Sequence, residues 1–244
     1  MDLDLSRALT FGSMAEAYDQ WRPTYPDVAV DWLAPTAPGY VADVGAGTGQ
    51  LTGALLARGL SVAAVEPDPM MLAVLSRNFP EAEAHQATST SLPFDDGALD
   101  AVLVATAFHW LPFEGTVAEV QRVLKPGGWL GLVYNVVLPV TEWERELVAT
   151  DPDRKGEGGE RPDLVWPFPG GTVETSWHPW DWQVTPEHYR NNLATNSAVM
   201  RLPEVERRAR LDAAENILRR VCDELHSPTA AVHHEAFCLR WTCA

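Results

Sequence analysis

The chain has 244 residues, of which 46% are hydrophobic, and its formal net charge is −16. That length suits one α/β domain with an appendage, and no apolar run approaches the ~20 residues that a membrane span needs. A surface this acidic repels phosphate backbones, so we expect no nucleic-acid partner. The lack of a long apolar run likewise predicts no membrane partner.

Residues 11–33 carry a helical pattern that is interrupted at RPTYP, where Pro23 and Pro26 break it. The first twelve residues lack a basic region ahead of an apolar stretch, so we expect no signal peptide and a cytoplasmic location. Three cysteines without C-x-x-C spacing predict free thiols. The sequence contains no cluster of metal-ligating residues, so we expect no metal site.

From about residue 40 the pattern changes to short apolar runs separated by helical stretches. The runs YVADV, SVAAVE, LDAVLVAT and WLGLVYN are typical of strands buried on both faces of a sheet. Between them lie the helical stretches GQLTGALLARG, PDPMMLAVLSRN and FEGTVAEVQRVLKPGG, the last with a predicted stop at Lys125–Gly128. This alternation predicts an α/β fold with a mostly parallel, doubly wound, Rossmann-like sheet and helices on both faces.

The composition changes again after residue 150. Proline, glycine and charged residues predict a long loop over 151–170. A tryptophan-rich stretch, two helical segments between about 186 and 224, and a late strand in AVHHEAFCLRWTCA follow. We therefore expect four regions: an N-terminal helical lid segment (1–35), a Rossmann-like core (36–136), a partly helical cap with a late strand (137–225) and a strand that completes the sheet (226–244).

The stretch VADVGAGTGQLT places three glycines directly after the first predicted strand. Ligands of parallel sheets bind at the carboxyl ends of strands, and a glycine turn that leads into a helix presents free N–H groups to an anion. The spacing Gly45, Gly47, Gly49 departs from the dinucleotide pattern G-x-G-x-x-G, because Gln50 holds the last position. Asp43 would also oppose a pyrophosphate, whereas it suits a ligand with a cationic group, such as S-adenosylmethionine (SAM).

Several motifs together resemble those of the class I SAM-dependent methyltransferases. VADVGAGTGQLT is similar to the family's first motif, and VAAVEPDPMML is similar to the second. In the second motif Glu66, 17 residues after Gly49, is implied to accept both ribose hydroxyls of the cofactor, near the ~20-residue interval of related folds. Met71 matches a position that packs on the adenine, although a helix-core methionine is an equally ordinary interpretation.

The resemblance continues through the fourth predicted strand. Ser89 and Thr90 stand where relatives carry Ala-Glu, which leaves adenine recognition to backbone amides and hydroxyls. Thr106 and Ala107 match positions that line the methionine part of SAM, and VLKPGGWLGLVY is similar to the terminal motif. The full predicted cofactor set is Tyr18, Arg22, Asp43, Gly45, Ala46, Gly47, Gly49, Glu66, Pro67, Met71, Ser89, Thr90, Thr106 and Ala107.

The N-terminal stretch FGSMAEAYDQWRPTYP resembles a signature of the small-molecule, trans-aconitate-methyltransferase-like branch of that family. The resemblance implies that Tyr18 and Arg22 lie over the cofactor, with the Arg22 fork on its carboxylate, which is chemistry that guanidinium geometry suits. A surface ion pair is the alternative for Arg22.

The implied reaction is in-line transfer of a methyl group from SAM to a small organic acceptor, with S-adenosylhomocysteine as product. Orientation can supply about 7–11 kcal/mol of such a barrier, so a base is optional. His109 is the candidate base, with a pocket wall as its alternative, and Tyr134 and Asn135 end strand five and could also face the acceptor. Five tryptophans suit an apolar acceptor pocket, although most of them could equally be core residues: Trp143, Trp166, Trp177, Trp180 and Trp182.

We expect an oxygen acceptor, a hydroxyl or a carboxylate. The alternatives are nitrogen or carbon methylation, a nicotinamide-dependent oxidoreductase, and a non-catalytic SAM-binding protein. The sequence leaves the oligomeric state open.

Overall fold

A computed structural model of the protein describes residues 12–152 and 167–243. Its centre is one seven-stranded sheet of order β3-β2-β1-β4-β5-β7-β6. The strands are β1 (Tyr40–Val44), β2 (Ser61–Val65), β3 (Glu83–His85), β4 (Leu99–Ala105), β5 (Leu124–Val137), β6 (Thr172–Val184) and β7 (Ala230–Thr242). The helices are α1 (Ala15–Trp21), α2 (Asp27–Leu33), α3 (Gln50–Leu56), α4 (Pro69–Asn78), α5 (Phe113–Val123), α6 (Glu142–Val148), α7 (Pro186–Ala194), α8 (Ser197–Met200) and α9 (Glu204–Leu225).

The predicted α/β class and mostly parallel sheet are confirmed. β1 pairs in parallel with β2 and β4, β2 with β3, and β4 with β5. β7 runs antiparallel between β5 and β6. Because β1 ends at Val44, the glycine loop starts at the carboxyl edge of the sheet, where ligands of this architecture bind.

Three details of the sequence analysis are wrong. The helix before β5 ends at Val123, and the segment Lys125–Gly128 belongs to β5, because Leu124 already pairs with Leu99 of β4. Two strands, β3 and β6, were not expected. The region between residues 186 and 225 holds three helices, α7, α8 and α9, instead of two.

Each face of the sheet is covered by helices. On one face α2 and α3 bury Val30, Leu33 and Leu55 against strand residues such as Leu103 and Ala236. On the other face α5 buries Val117, Val120 and Val123 against a core that includes Leu130, Leu132 and Trp241. Apolar burial of this kind stabilises at about 25 cal/mol per Å², and it fixes the strand ends that carry the site.

The extended ends of β5, β6 and β7 support a separate helical cluster, which we call the cap. Leu147 of α6, Leu193 of α7 and Leu218 of α9 are buried there against Val184 and Val232 of the sheet. The cap therefore stands beside the carboxyl edge of the parallel strands. Most of the predicted 151–170 loop, including Trp166, lies outside the described residues. Within them, no helix is long and apolar enough to cross a membrane.

Candidate cofactor and acceptor site

Each of the three glycines of the loop has a positive φ, which is +71° at Gly45, +58° at Gly47 and +98° at Gly49. The surroundings of the three residues differ. A Cβ on Gly49 would lie 2.7 Å from Phe79 Cδ2, and a Cβ on Gly45 would lie 3.0 Å from Ala107 Cβ. A Cβ on Gly47 would meet nothing closer than Tyr18 Cε1, at 4.0 Å. Gly45 and Gly49 therefore allow close packing, whereas Gly47 keeps the loop bare beneath Tyr18.

Glu66 joins the ends of β1 and β2. Its Oε2 accepts a hydrogen bond from Gly47 N at 2.9 Å, and its Oε1 accepts one from Asp68 N at 2.9 Å. The carboxylate is buried, with 7% exposed. Burial raises its pKa, and the two backbone donors act in the opposite direction. Each oxygen keeps a further lone pair for a ligand hydroxyl.

Asp43 lies at the bottom of the same edge and is completely buried. Thr52 Oγ1 donates to Asp43 Oδ2 at 2.7 Å, while Asp43 Oδ1 is buried without a hydrogen-bond partner. Burial raises the pKa of Asp43 to about 7, with a further contribution from the charge of Glu66. A buried acceptor without a donor costs free energy, so this atom fits a cationic ligand group.

The N-terminal segment covers the glycine loop. The Arg22 guanidinium stacks on the Tyr18 ring at 4.9 Å, and Arg22 NH2 donates to Thr195 O at 3.0 Å. Its Nε is buried without a partner. The ion pair considered as the alternative for Arg22 is not seen within residues 12–152 and 167–243. Arg22 therefore links the lid segment to the cap and keeps one donor for a ligand.

The same segment supplies a residue that the sequence analysis missed, Tyr25. Its hydroxyl is hydrogen-bonded to Thr106 Oγ1 at 2.9 Å, and burial raises its pKa. Thr106 has φ +52°, an uncommon conformation for a β-branched residue. Strain of this kind concentrates at functional sites. The signal for Tyr25 was present, because it stands in the N-terminal signature.

His109 lies in a short 3₁₀ turn, Phe108–Trp110, just after β4. His109 keeps part of its surface exposed, and its imidazole lies against Trp110 and Tyr134 with ring-centroid distances of 4.7 and 5.8 Å. Desolvation by the surrounding protein lowers its pKa. The neutral form, which can accept a proton, is therefore favoured near pH 7. This position is compatible with both predicted roles of His109, as a base and as part of the pocket wall.

The residues predicted around the adenine are already engaged within the protein. Ser89 is buried, and its hydroxyl is hydrogen-bonded to Thr116 Oγ1 at 2.7 Å. Thr90 is exposed, and its hydroxyl lies 3.2 Å from Thr88 Oγ1. Met71 is buried beside Ala15 and Val74, which is the helix-core packing that the sequence left open. Ala46 packs with Ala64 and Leu75 under the loop, and Pro67 directly follows Glu66. The adenine contacts stay predictions.

The expected tryptophan pocket does not form one cluster. Trp177 packs against Phe237, with a centroid distance of 4.7 Å, on the α5 face of the sheet. Trp180 lies on the opposite face, and Trp143 and Trp182 pack against the cap core. Because side chains alternate along a strand, Trp177 points away from Trp180 and Trp182, which both lie against His234. No group of three potential metal ligands occurs among the described residues.

Comparison with known proteins connects this geometry to one enzyme class. A family model described as a methyltransferase domain matches residues 42–132. An uncharacterized methyltransferase of Mycobacterium bovis is 39% identical over 239 residues, which are 97% of each chain. Two solved structures share the fold: one named as a type II methyltransferase from Anaeromyxobacter dehalogenans (TM-score 0.64, 24% identity, 90% and 96% coverage), and Haemonchus contortus phosphoethanolamine N-methyltransferase 2 with S-adenosylhomocysteine (TM-score 0.54, 16% identity, 98% and 59% coverage).

Proposed function

The chain belongs to the class I SAM-dependent methyltransferases, and from that premise we propose that it transfers the methyl group of SAM to an oxygen of a small organic molecule. The observation that carries the proposal is the combination of the bare Gly47 loop, the buried Glu66 carboxylate and the unpartnered Asp43 oxygen at one sheet edge. Bound SAM would supply an electrophilic methyl group on a sulfonium.

The charged and polar side chains at this sheet edge suit the charged and polar groups of SAM. Glu66 would accept the ribose hydroxyls, and Asp43 would face the cationic end of the methionine part. Arg22 would face its carboxylate with the Nε that no protein atom uses, while Tyr18, Thr106 and Ala107 would enclose the same end. The main contribution to rate is orientation, since an in-line displacement needs aligned partners and little else.

Calorimetry with SAM and with NADH tests the proposal and its oxidoreductase alternative. We expect SAM to bind and NADH not to bind, because Gln50 replaces the third glycine of a dinucleotide loop and the charge of Asp43 would oppose a pyrophosphate. Tight binding of NADH, or no binding of SAM, would contradict the proposal. A protein that binds SAM but releases no S-adenosylhomocysteine with any cell extract would be a binding protein instead.

We propose His109 as the base for a hydroxyl acceptor, because its lowered pKa keeps the imidazole neutral. His109→Phe keeps a ring in the wall but removes the proton acceptor, so we expect turnover to fall about 100-fold or more with unchanged SAM affinity. The wild-type acidic limb should lie below pH 6.5 and disappear in the variant. The measurement is S-adenosylhomocysteine release between pH 5 and 8 at saturating SAM, with a cell extract as acceptor source. Unchanged turnover would mean that His109 only forms part of the pocket wall. That result is expected for a carboxylate acceptor, which has no proton to lose.

A further inference from the structure

The C-terminal end of α1 in the lid segment lies against α7 of the cap, and each helix supplies hydrogen bonds to the end of the other. The last four carbonyls of a helix have no partner within it. Trp21 O, the last carbonyl of α1, accepts hydrogen bonds from His188 Nε2 and Asn192 Nδ2 of α7, each at 3.2 Å. In return, Arg22 Nη2 donates to Thr195 O, directly after α7, at 3.0 Å. Lid and cap are therefore joined by reciprocal capping of two helices.

The partners of the lid lie on one face of α7. His188, Asn192 and Thr195 have the spacing i, i+4 and i+7, which places them on the same side of a helix. Trp21 O has two lone pairs, so it can accept from both side chains. Because a carbonyl only accepts, Nε2 of His188 must carry a proton in this contact. The guanidinium of Arg22 also lies at the negative end of the α7 dipole, which is favourable for a cation.

The ring of His188 is held from two sides. It makes an edge-to-face contact with Trp21, with a centroid distance of 5.0 Å and an interplanar angle of 86°. It makes a second one with Trp182 of β6, at 5.3 Å and 87°. Perpendicular ring pairs of this kind are favourable, and Trp182 itself packs against the cap core. The position of the His188 donor is therefore set by β6 and the cap.

The lid segment has other anchors on both sides of this junction. Towards its start, Ala15 is buried against α4, and towards its end Tyr25 is hydrogen-bonded to Thr106. Between these anchors, the hydrogen bonds that Trp21 and Arg22 make outside the lid go to α7 and the residue after it, as far as the described residues show. The stretch of lid that carries Arg22 therefore takes its position from the cap.

The junction acts directly on Arg22. Trp21 O belongs to the peptide group that joins Trp21 to Arg22, and that group is planar. Donors that hold this oxygen therefore also orient the backbone from which the Arg22 side chain extends. The guanidinium then stacks on Tyr18 and keeps its buried Nε without a protein partner.

We propose that His188 and Asn192 are positioning residues of the cofactor site: by holding Trp21 O, they keep Arg22 aimed at the carboxylate of the cofactor's amino-acid part. The inference rests on the proposed methyltransferase function, in which Arg22 faces that carboxylate, and it makes the cap a determinant of cofactor affinity. When the competent arrangement of a site is only partly populated, the apparent affinity falls by the same fraction. Loss of either donor should therefore weaken cofactor binding, although the predicted cofactor contacts include no residue of α7.

The test compares two ligands of the full chain by calorimetry: S-adenosylhomocysteine, and 5′-methylthioadenosine, which lacks the carboxylate and ammonium groups. We expect wild type to bind S-adenosylhomocysteine at least about tenfold more tightly. Asn192→Leu removes the donor and keeps a side chain of similar size. It should weaken S-adenosylhomocysteine about three- to tenfold, the loss of one hydrogen bond, and leave 5′-methylthioadenosine unchanged. Asn191→Leu, the same change about 100° around α7, is the matched control and should bind both ligands as wild type does.

Two further comparisons separate positioning from packing. His188→Phe keeps a ring beside Trp21 but removes the donor, so it should show the same selective loss. His188→Gln has an amide that can donate to Trp21 O, and it should bind S-adenosylhomocysteine more tightly than His188→Phe does. In a chain that already carries Arg22→Leu, Asn192→Leu should cause no further loss, because the group that it positions is absent.

Several outcomes would overturn the proposal. Equal weakening of both ligands by Asn192→Leu would show that α7 only supports the fold, and unchanged binding would show no coupling at all. An equal effect of Asn191→Leu, no advantage of His188→Gln over His188→Phe, or additive losses in the Arg22→Leu chain would also contradict it. A wild type that binds neither ligand would instead contradict the proposed function, and Arg22→Leu with wild-type affinity would contradict the cofactor role of Arg22.

Discussion

Glu66→Ala is expected to weaken SAM binding by about 10²- to 10⁴-fold. The estimate follows from two hydrogen bonds between ribose hydroxyls and a carboxylate, each worth about 1.5–3 kcal/mol. The same substitution removes the acceptor for Gly47 N and Asp68 N, so the loop between β1 and α3 also loses its connection to β2. Calorimetry with SAM measures the loss, and Glu81→Ala, a change at an exposed glutamate, is the control.

Loss of the ribose contact must be separated from disturbance of the loop. Wild type should bind S-adenosylhomocysteine much more tightly than the analogue that lacks both ribose hydroxyls. Glu66→Ala should bind the two nearly alike, because the group that distinguishes them is gone. Wild-type affinity for SAM in the variant would remove Glu66 from the ribose site. Equal binding of both compounds by the wild type would have the same meaning.

Asp43→Asn is expected to weaken SAM binding about 10- to 100-fold at pH 8 while it stabilises the free protein. The side chain keeps its shape and can still accept from Thr52, but it no longer carries the charge that would pair with a cation. In the free protein that charge is buried without a counter-ion. Its removal should therefore raise the Tm at pH 8, as happens when function requires an unfavourable group.

The pH dependence has a definite sign. The pKa of Asp43 is about 7 in the folded chain, against about 3.9 when unfolded. Its contribution to stability is therefore present below pH 4 and lost as the pH rises through 7. A bound cation favours the ionised form, so SAM affinity should increase from pH 6 to pH 8 in the wild type. Asp43→Asn should be flat over that range, and Asp95→Asn, at an exposed position, should follow the wild type. A wild type without this slope would exclude Asp43 as the partner of the cation.

The parts of the fold that the sequence predicted are those whose local pattern and tertiary environment agree. β1, β2 and β4 are short apolar runs that the sheet buries on both faces, and the glycine loop follows β1 as the pattern indicates. β6 was missed because it pairs only with β7 among the described strands, and much of it is exposed. Its sequence therefore mixes tryptophans with a histidine, Pro179 and charged residues, and it lacks the continuous apolar run that is typical of an interior strand.

The same limit applies to the candidate site. Gly47, Glu66 and Asp43 are close to one another because two adjacent parallel strands end there, and a sequence can indicate such an arrangement. The partnership of Tyr25 with Thr106 joins residues 81 positions apart, and that of Arg22 with Thr195 joins residues 173 apart. No local periodicity encodes pairs of that kind.

The position of β7 between β5 and β6 has a consequence for synthesis on the ribosome. β6 is made before β7, yet within the described part of the sheet it has no other strand to pair with. The helices of the cap, up to Leu225, are likewise translated before Ala230 and Val232, against which they pack. The first four strands, with α2 to α5, can assemble as the polypeptide emerges. The cap and β6 must wait for residues 230–242, so the nascent chain can form the strand ends that carry the proposed cofactor site before it can form the cap.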